Sequence, residues 1–187
     1  MIEWVSTARR VRTSANPYTF SIPAVAELLS RYVSGGKNNW GDPFAGRSRL
    51  AEFRNDMDSS MPQPSHLDAW DFVRGLPDGL AGCLIDPPYS HSAVARHYRA
   101  IARKPSALDT SNRFMTRILD VVGKKIRPGG VGISFGWTGV GFGARRGFKE
   151  VEVLVLVFSG GRYAVHVVVE QKSNHRLDEY APPACPD

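Results

Sequence analysis

The spacing of apolar positions predicts helices that alternate with single strands. Over residues 22–33, apolar side chains recur at three- and four-residue intervals, Pro23 suits the first helical turn, and a Ser-Gly-Gly stop follows. A similar pattern over residues 111–125 predicts a second helix. The run 81–86, Ala-Gly-Cys-Leu-Ile-Asp, is apolar up to its final aspartate, as in a strand that is buried on both faces.

Shorter apolar stretches predict the rest of a sheet. Strands are expected within residues 38–46, 51–56 and 129–137, and residues 66–76 are expected to form a short strand or the edge of a helix. The two apolar runs that close the chain, joined at Ser-Gly-Gly-Arg, are expected to pair as an antiparallel hairpin over residues 147–171. This order of elements predicts an open, mostly parallel α/β sheet with an antiparallel strand at one edge.

Composition limits the classes of protein to consider. A chain of 187 residues with 42% hydrophobic residues is expected to form one domain, 1–187. No apolar run is long enough to predict a membrane span. The two cysteines, Cys83 and Cys185, indicate neither a disulfide framework nor a zinc site, so a reducing, cytoplasmic location is the simplest interpretation.

The charge distribution favours a polyanionic partner. The formal net charge is +6, and Lys or Arg side chains placed near phosphates release counterions from nucleic acid. Residues 1–17 are expected to form a basic N-terminal arm, and residues 172–187 a loose tail. The polar, basic segment 90–110 is a candidate insert for contacts with a substrate.

Acidic residues close three of the predicted strands. Asp42, Asp56 and Asp86 stand at these strand ends, and in a doubly wound sheet such ends line one crevice. A glycine-containing turn lets backbone amides approach a ligand, and a carboxylate at the next strand end accepts both hydroxyls of a ribose. The pattern therefore predicts a site for a nucleoside that carries a charged extension.

Three motifs carry a family resemblance. The stretches DPFAGRS at 42–48 and DPPY at 86–89, with YTFSIP at 18–23 before them, resemble the amino-methylating DNA methyltransferases that use S-adenosylmethionine. The resemblance runs over about residues 18–171. It implies a single-domain, Rossmann-like methyltransferase fold with a seven-stranded, mostly parallel sheet and a reversed edge strand.

The resemblance also implies roles for individual residues. At the methionine end of the cofactor it implies Tyr18, Phe20 and Pro23, and in the loop beneath the amino-acid moiety it implies Asp42, Pro43, Phe44 and Gly46. It implies that Asp56 binds the ribose, with Asp58 in reserve. It also implies that Asp68 binds the adenine, with Asp71 in reserve. The catalytic corner it implies is Asp86, Pro87, Pro88 and Tyr89. Ser48 departs from the family pattern, which has a second glycine at that position.

The chemistry implied at this corner is methyl transfer to an exocyclic amine. The Asp86 carboxylate and the Pro87 carbonyl would accept the two amine hydrogens, Tyr89 would stack on an extruded base, and no metal is needed. Aspartate at position 86 favours N6 of adenine in DNA. An amine of adenine or guanine in RNA is the alternative substrate, and a non-catalytic nucleic-acid-binding subunit is the alternative from another class.

Basic side chains outside the motifs are candidates for nucleic-acid contacts, with an ordinary solvated surface as the alternative. These candidates are Arg96, Arg99, Arg103, Lys104, Arg145 and Arg146. No separate target-recognition domain is evident in the sequence, so recognition is expected to be short or relaxed, or to need a homodimer or a specificity subunit. Such a compact build would suit a viral or mobile-element enzyme.

Overall fold

A single seven-stranded sheet organises the chain. The computed structural model describes residues 7–14, 18–33, 38–88, 112–137, 141–158 and 164–173. The strands are β1 (Thr7–Thr13), β2 (Trp40–Asp42), β3 (Phe53–Arg54), β4 (Leu80–Ile85), β5 (Ile126–Gly136), β6 (Phe148–Phe158) and β7 (Ala164–Lys172). The helices are α1 (Pro23–Val33), α2 (Ala69–Gly75) and α3 (Asn112–Lys125), and 3-10 turns lie at Thr19–Ser21 and Ala144–Arg146.

The strand order confirms the α/β fold expected from the sequence. The order is β1-β6-β7-β5-β4-β2-β3, and β7 alone runs against its neighbours. The antiparallel strand was expected at an edge, but β7 lies between β5 and β6. It is internal because β7 returns from the β6 hairpin onto β5, while β1 adds to the free side of β6.

The N-terminal strand corrects the expectation of a basic arm over residues 1–17. Thr7–Thr13 pair in parallel with Glu152–Phe158 and form the edge of the sheet. Three arginines interrupt the apolar pattern of this segment, so β1 owes its strand conformation to the neighbour it pairs with. The expected tail, 172–187, begins inside β7, which ends at Lys172, and its residues 174–187 lie outside the described ranges.

Two apolar cores lie on opposite faces of the sheet. The first packs α1, through Val25, Leu28 and Leu29, against Ile133 and neighbouring residues of β5, β6 and β7. The second packs α2 and α3 against the other face of β4 and β5. Helices on both sides bury β4 on both faces, as its continuous apolar sequence predicts.

Close backbone approach fixes the pairing of β2 with β4. A Cβ at Gly82 in β4 would meet the Trp40 ring of β2 at 2.5–2.6 Å, so only glycine leaves room for the indole there. Both strands end at the edge where the acidic residues lie. The Trp40–Gly82 contact therefore sets the relative position of these two strand ends.

Candidate active site

Three carboxylates meet at the carboxyl edge of the sheet. Asp42 ends β2, Asp56 follows β3, and Asp86 follows β4, and these three strands are neighbours in the sheet. The negative charges of Asp86 and Asp56 both act on Asp42 and raise its pKa. The structure therefore brings together the three acids that the sequence places at successive strand ends.

Asp42 is the most deeply buried of the three. Its side chain is 0% exposed, Oδ1 accepts a hydrogen bond from the Phe44 amide at 3.2 Å, and Oδ2 has no partner among the described residues. Burial raises the pKa of the Asp42 carboxyl well above its usual range, and the charges of Asp86 and Asp56 add to that rise. A positive charge bound nearby would stabilise the ionised form of this carboxyl.

Asp56 connects two loops of the site through backbone amides. Oδ2 accepts from the Gly46 amide at 2.9 Å, and Oδ1 accepts from the Asp58 amide at 2.9 Å. Gly46 has a φ of +52°, a conformation that favours glycine or asparagine. The carboxylate expected at the ribose thus also fixes the turn that follows β2.

A buried amide that sequence reasoning missed joins the strand ends. Asn55 is 0% exposed, and its Nδ2 donates to the carbonyls of Pro43 and Leu67. Its Oδ1 accepts from the Ser65 hydroxyl and the Leu67 amide. Its position directly before Asp56, at the end of a strand, was the only signal in the sequence.

Gln63 stabilises the glycine-containing turn from the other side. Its Nε2 donates to the carbonyls of Gly46 and Ser48, at 2.8 Å each, and its Oε1 accepts from Arg54 Nε at 3.1 Å. The Ser48 hydroxyl accepts from the Leu50 amide, and Ser48 is absent from the described residues with positive φ. The turn therefore forms with serine at the position where the family pattern has glycine.

Asp68 begins α2 as its N-cap. Its Oδ1 accepts a hydrogen bond from the Trp70 amide at 2.8 Å, and its backbone is extended rather than helical. Asp71, the reserve residue, lies in the first turn, is exposed, and pairs with Arg74. The sequence left open whether residues 66–76 form a strand or the edge of a helix. In the structure they contain a capped helix over Ala69–Gly75.

Aromatic side chains flank the acids at the start of α1. Phe20 packs against Phe135 of β5 with ring centroids 5.2 Å apart, and Pro23 begins the helix. Tyr18 is 50% exposed, and the guanidinium of Arg47, from the turn after β2, lies 5.7 Å from its ring centroid. The three residues expected at the methionine end of the cofactor therefore lie at the same edge of the sheet as Asp42.

The described part of the catalytic corner ends at Pro88. Asp86 and Pro87 are half-buried, and Pro88 is exposed. Tyr89, together with the candidate nucleic-acid contacts Arg96, Arg99, Arg103 and Lys104 in the 90–110 insert, lies outside the described residues.

Arg145 and Arg146 both form ion pairs with Asp120 of the same chain. Arg146 Nε donates to Asp120 at 2.7 Å, and its other nitrogens donate to the carbonyls of Phe142 and Thr116. Arg145 reaches the same carboxylate at 3.3 Å, and most of its side chain is exposed. Arg146 therefore has a structural role, whereas the exposed part of Arg145 is accessible to a ligand.

The described ranges contain neither a metal-ligand cluster nor a membrane-spanning helix. No group of three or more His, Cys, Asp or Glu side chains there is arranged to hold a metal ion. No helix there is long and apolar enough to cross a membrane.

The order of strands, with one reversed strand inside a mostly parallel sheet and acids at the carboxyl edge, defines a Rossmann-like fold of the methyltransferase kind. The solved structure described as "Putative methyltransferase yhhF from Escherichia coli" is similar to the chain, with a TM-score of 0.53 and 12% sequence identity. The match covers 87% of this chain and 90% of that one, and it establishes the fold. No family model and no curated protein matches the sequence.

Proposed function

We propose that this protein transfers a methyl group from S-adenosylmethionine to N6 of adenine in DNA. The observation that carries the proposal is the meeting of Asp42, Asp56 and the Asp86 corner at one edge of a methyltransferase fold. The Asp-Pro-Pro-Tyr sequence of that corner is the motif of amino-methylating enzymes.

The residues present fit the cofactor by charge. S-adenosylmethionine supplies an electrophilic methyl group on a positively charged sulfonium, and it carries a second positive charge on its amino group. Among the described residues, Asp42 has a buried oxygen without a partner, and burial together with two neighbouring acids raises the pKa of its carboxyl. The two positive groups of the cofactor outnumber its single carboxylate and would offset the mutual repulsion of the acids at this edge.

The edge also offers the apolar surface that an adenosine needs. Among the described residues, the exposed large apolar side chains are Tyr18, Leu67 and Trp137. Tyr18 contacts Arg47 in the turn after β2, Leu67 hydrogen-bonds to Asn55 after β3, and Trp137 directly follows β5. Apolar surface concentrated around a polar floor is typical of a ligand site.

Asp86 and Pro87 would act on the amine itself. An exocyclic amine is a weak nucleophile because its lone pair is delocalised into the ring. The Asp86 carboxylate and the Pro87 carbonyl would each accept one N–H and leave the lone pair directed away from the ring. Two consecutive prolines restrict the backbone of the corner, so these acceptors lose little freedom on binding.

The test is transfer of a labelled methyl group to separate pools of DNA and RNA, followed by nucleoside analysis. We expect labelled N6-methyladenine in DNA, and label confined to RNA guanine or adenine would contradict the substrate assignment. Asp86→Ala should reduce transfer by about a thousandfold, within the range seen when one positioned catalytic group is removed. Cofactor binding measured by calorimetry should change little in that variant, and Asp78→Ala serves as the matched control because Asp78 is exposed and pairs with Lys125 away from the site.

A further inference from the structure

The two faces of strand β1 have different surroundings. Val11 packs against the core beneath α1, and Arg9 donates to Glu27 of that helix at 3.2–3.3 Å. Successive side chains of a strand point to opposite faces, so Arg10 and Arg12 point away from α1. Both are exposed.

The adjoining strand continues this second face. Val155 pairs with Arg10 and Val157 with Arg12 across the β1–β6 ladder. These valines and Val153 are half-buried, and neither core includes them, whereas Leu154 and Leu156 on the other face are fully buried beneath α1. Over β1 and residues 153–157 of β6, this face therefore carries no helix among the described elements.

No ion pair of Arg10 or Arg12 occurs within the described residues, whereas several other arginines are paired. Arg9 pairs with Glu27, Arg31 pairs with Glu27 and Glu152, and Arg146 pairs with Asp120. No acidic residue occurs in β1. Two uncompensated guanidinium groups thus lie two residues apart, about 6.6 Å along the strand.

The orientation of β1 directs this pair toward the site. β1 runs parallel to β6, and β6 runs in the same direction as β2, β3, β4 and β5, so all their carboxyl ends share one edge. Arg12 is next to the last residue of β1 at that edge. Four strand spacings separate β1 from β4, about 19 Å at about 4.8 Å each.

We propose that Arg10 and Arg12 bind two phosphates of the DNA substrate and hold it against the open face of β1 and β6. This proposal rests on the proposed function, because it takes DNA as the substrate of the Asp86 corner. Guanidinium groups are suited to phosphate, and the net charge of +6 supports a polyanionic partner. At about 3.4 Å per nucleotide, the 19 Å between the two strands corresponds to about six nucleotides between the anchored phosphates and the target base.

The experiment measures the binding of a fluorescent DNA duplex at a series of salt concentrations, without cofactor. Each phosphate contact contributes about 0.9 to the slope of log K against log salt, so the double variant Arg10→Gln/Arg12→Gln should lower that slope by about 1.8. Affinity at 0.1 M salt should fall by about tenfold or more. The double variant Arg74→Gln/Arg127→Gln removes the same charge from two other exposed arginines and should leave the slope unchanged.

Each other outcome overturns the proposal. Equal slopes for the two double variants would show only a general effect of net charge. Absence of DNA binding by the wild type would show that DNA is not the ligand of this face. A slope change seen with RNA but not with DNA would assign the arginines to RNA. A change of oligomeric mass in Arg10→Gln/Arg12→Gln would assign the open face to a protein. Because binding is measured without methyl transfer, an inactive enzyme with the expected slopes would contradict the proposed function alone.

Discussion

The Asp56 carboxylate accepts the Gly46 amide at 2.9 Å and so connects the end of β3 to the turn that follows β2. Its second oxygen accepts the Asp58 amide, which fixes the chain leaving β3. An acid that the family resemblance assigns to ribose binding is therefore also part of the framework of the site. Removing the Asp56 carboxylate should therefore affect both the stability of the fold and the binding of the ligand.

Asp56→Ala is expected to lower both stability and cofactor affinity. Loss of two acceptors leaves the Gly46 and Asp58 amides without their partner, which costs about 1–3 kcal/mol. In a domain of this size each 1 kcal/mol lowers Tm by about 2–4 °C, measurable by thermal unfolding. Asp56→Asn keeps one acceptor oxygen and should lose less stability. A variant that lost cofactor binding with an unchanged Tm would show that the two hydrogen bonds contribute nothing to the fold.

Asp42→Asn is expected to stabilise the protein near neutral pH and to lower its affinity for the cofactor. Burial raises the pKa of Asp42 well above its usual range, so the folded protein holds this proton more tightly than the unfolded chain. The stability that Asp42 contributes is complete below the unfolded pKa and is lost as the pH rises through the folded pKa. Asparagine keeps the Phe44 hydrogen bond and has no charge to desolvate.

The measurement for Asp42 is denaturant unfolding of the wild type and Asp42→Asn across the acid-to-neutral range. The advantage of the variant should grow as the pH rises from about 4. Cofactor affinity should fall at least about tenfold, or about 1.4 kcal/mol, because the attraction of one carboxylate for a cation is lost. If the wild type gained stability relative to the variant over this range, the carboxyl would be stabilised in its ionised form.

Two substitutions of Asp68 separate its capping role from the adenine contact that the resemblance implies. Asparagine caps a helix about as well as aspartate, whereas alanine loses the bond to the Trp70 amide and costs about 1 kcal/mol. Asp68→Asn should therefore unfold like the wild type, and Asp68→Ala should lose about 2–4 °C of Tm. Calorimetry of cofactor binding to the stable Asn variant then tests the adenine contact directly. An unchanged affinity would show that Asp68 caps the helix and does not contribute to cofactor binding.

Gly82→Ala is expected to disturb the ends of β2 and β4 together. The added Cβ would lie 2.5 Å from the Trp40 ring, and overpacking of this kind costs about 1–3 kcal/mol. Gly75→Ala is the matched control, since a Cβ there meets nothing within 4 Å, and it should be neutral or slightly stabilising. Comparison of the thermal unfolding of the two variants distinguishes a local clash with Trp40 from a general effect of replacing glycine.

Helices α1 and α3 were predictable because each has a local signal, whereas the sequence left residues 66–76, which form α2, open between a strand and a helix edge. The apolar spacing over residues 22–33 and 111–125 predicted α1 and α3 to within a residue at either end, since one buried face imposes that spacing. β1 was not predictable in this way. Its strand conformation depends on pairing with β6, which lies far along the chain, and three arginines break its apolar pattern.

The acids of the site were predictable, but their hydrogen bonds were not. A carboxylate at the end of a buried strand is visible in the sequence, and Asp42, Asp56 and Asp86 do converge at one edge. The contacts of Asn55 and Gln63 depend on how the loop of residues 57–68 folds back over the turn after β2. Polar residues in a loop carry no spacing signal, so these two residues emerge only from the structure.

The pairing of β1 with β6 also sets the timing of assembly during synthesis. Thr7 pairs with Glu152, so β1 has its partner 145 residues later in the chain. At about 5–20 residues per second, the ribosome takes about 7–30 s to produce that partner after β1 is made. Throughout this interval the basic segment has no sheet to join, and its arginines oppose premature edge-to-edge association with other chains. Strand β1 is thus made long before β6 and can join the sheet only after β6 has been synthesised.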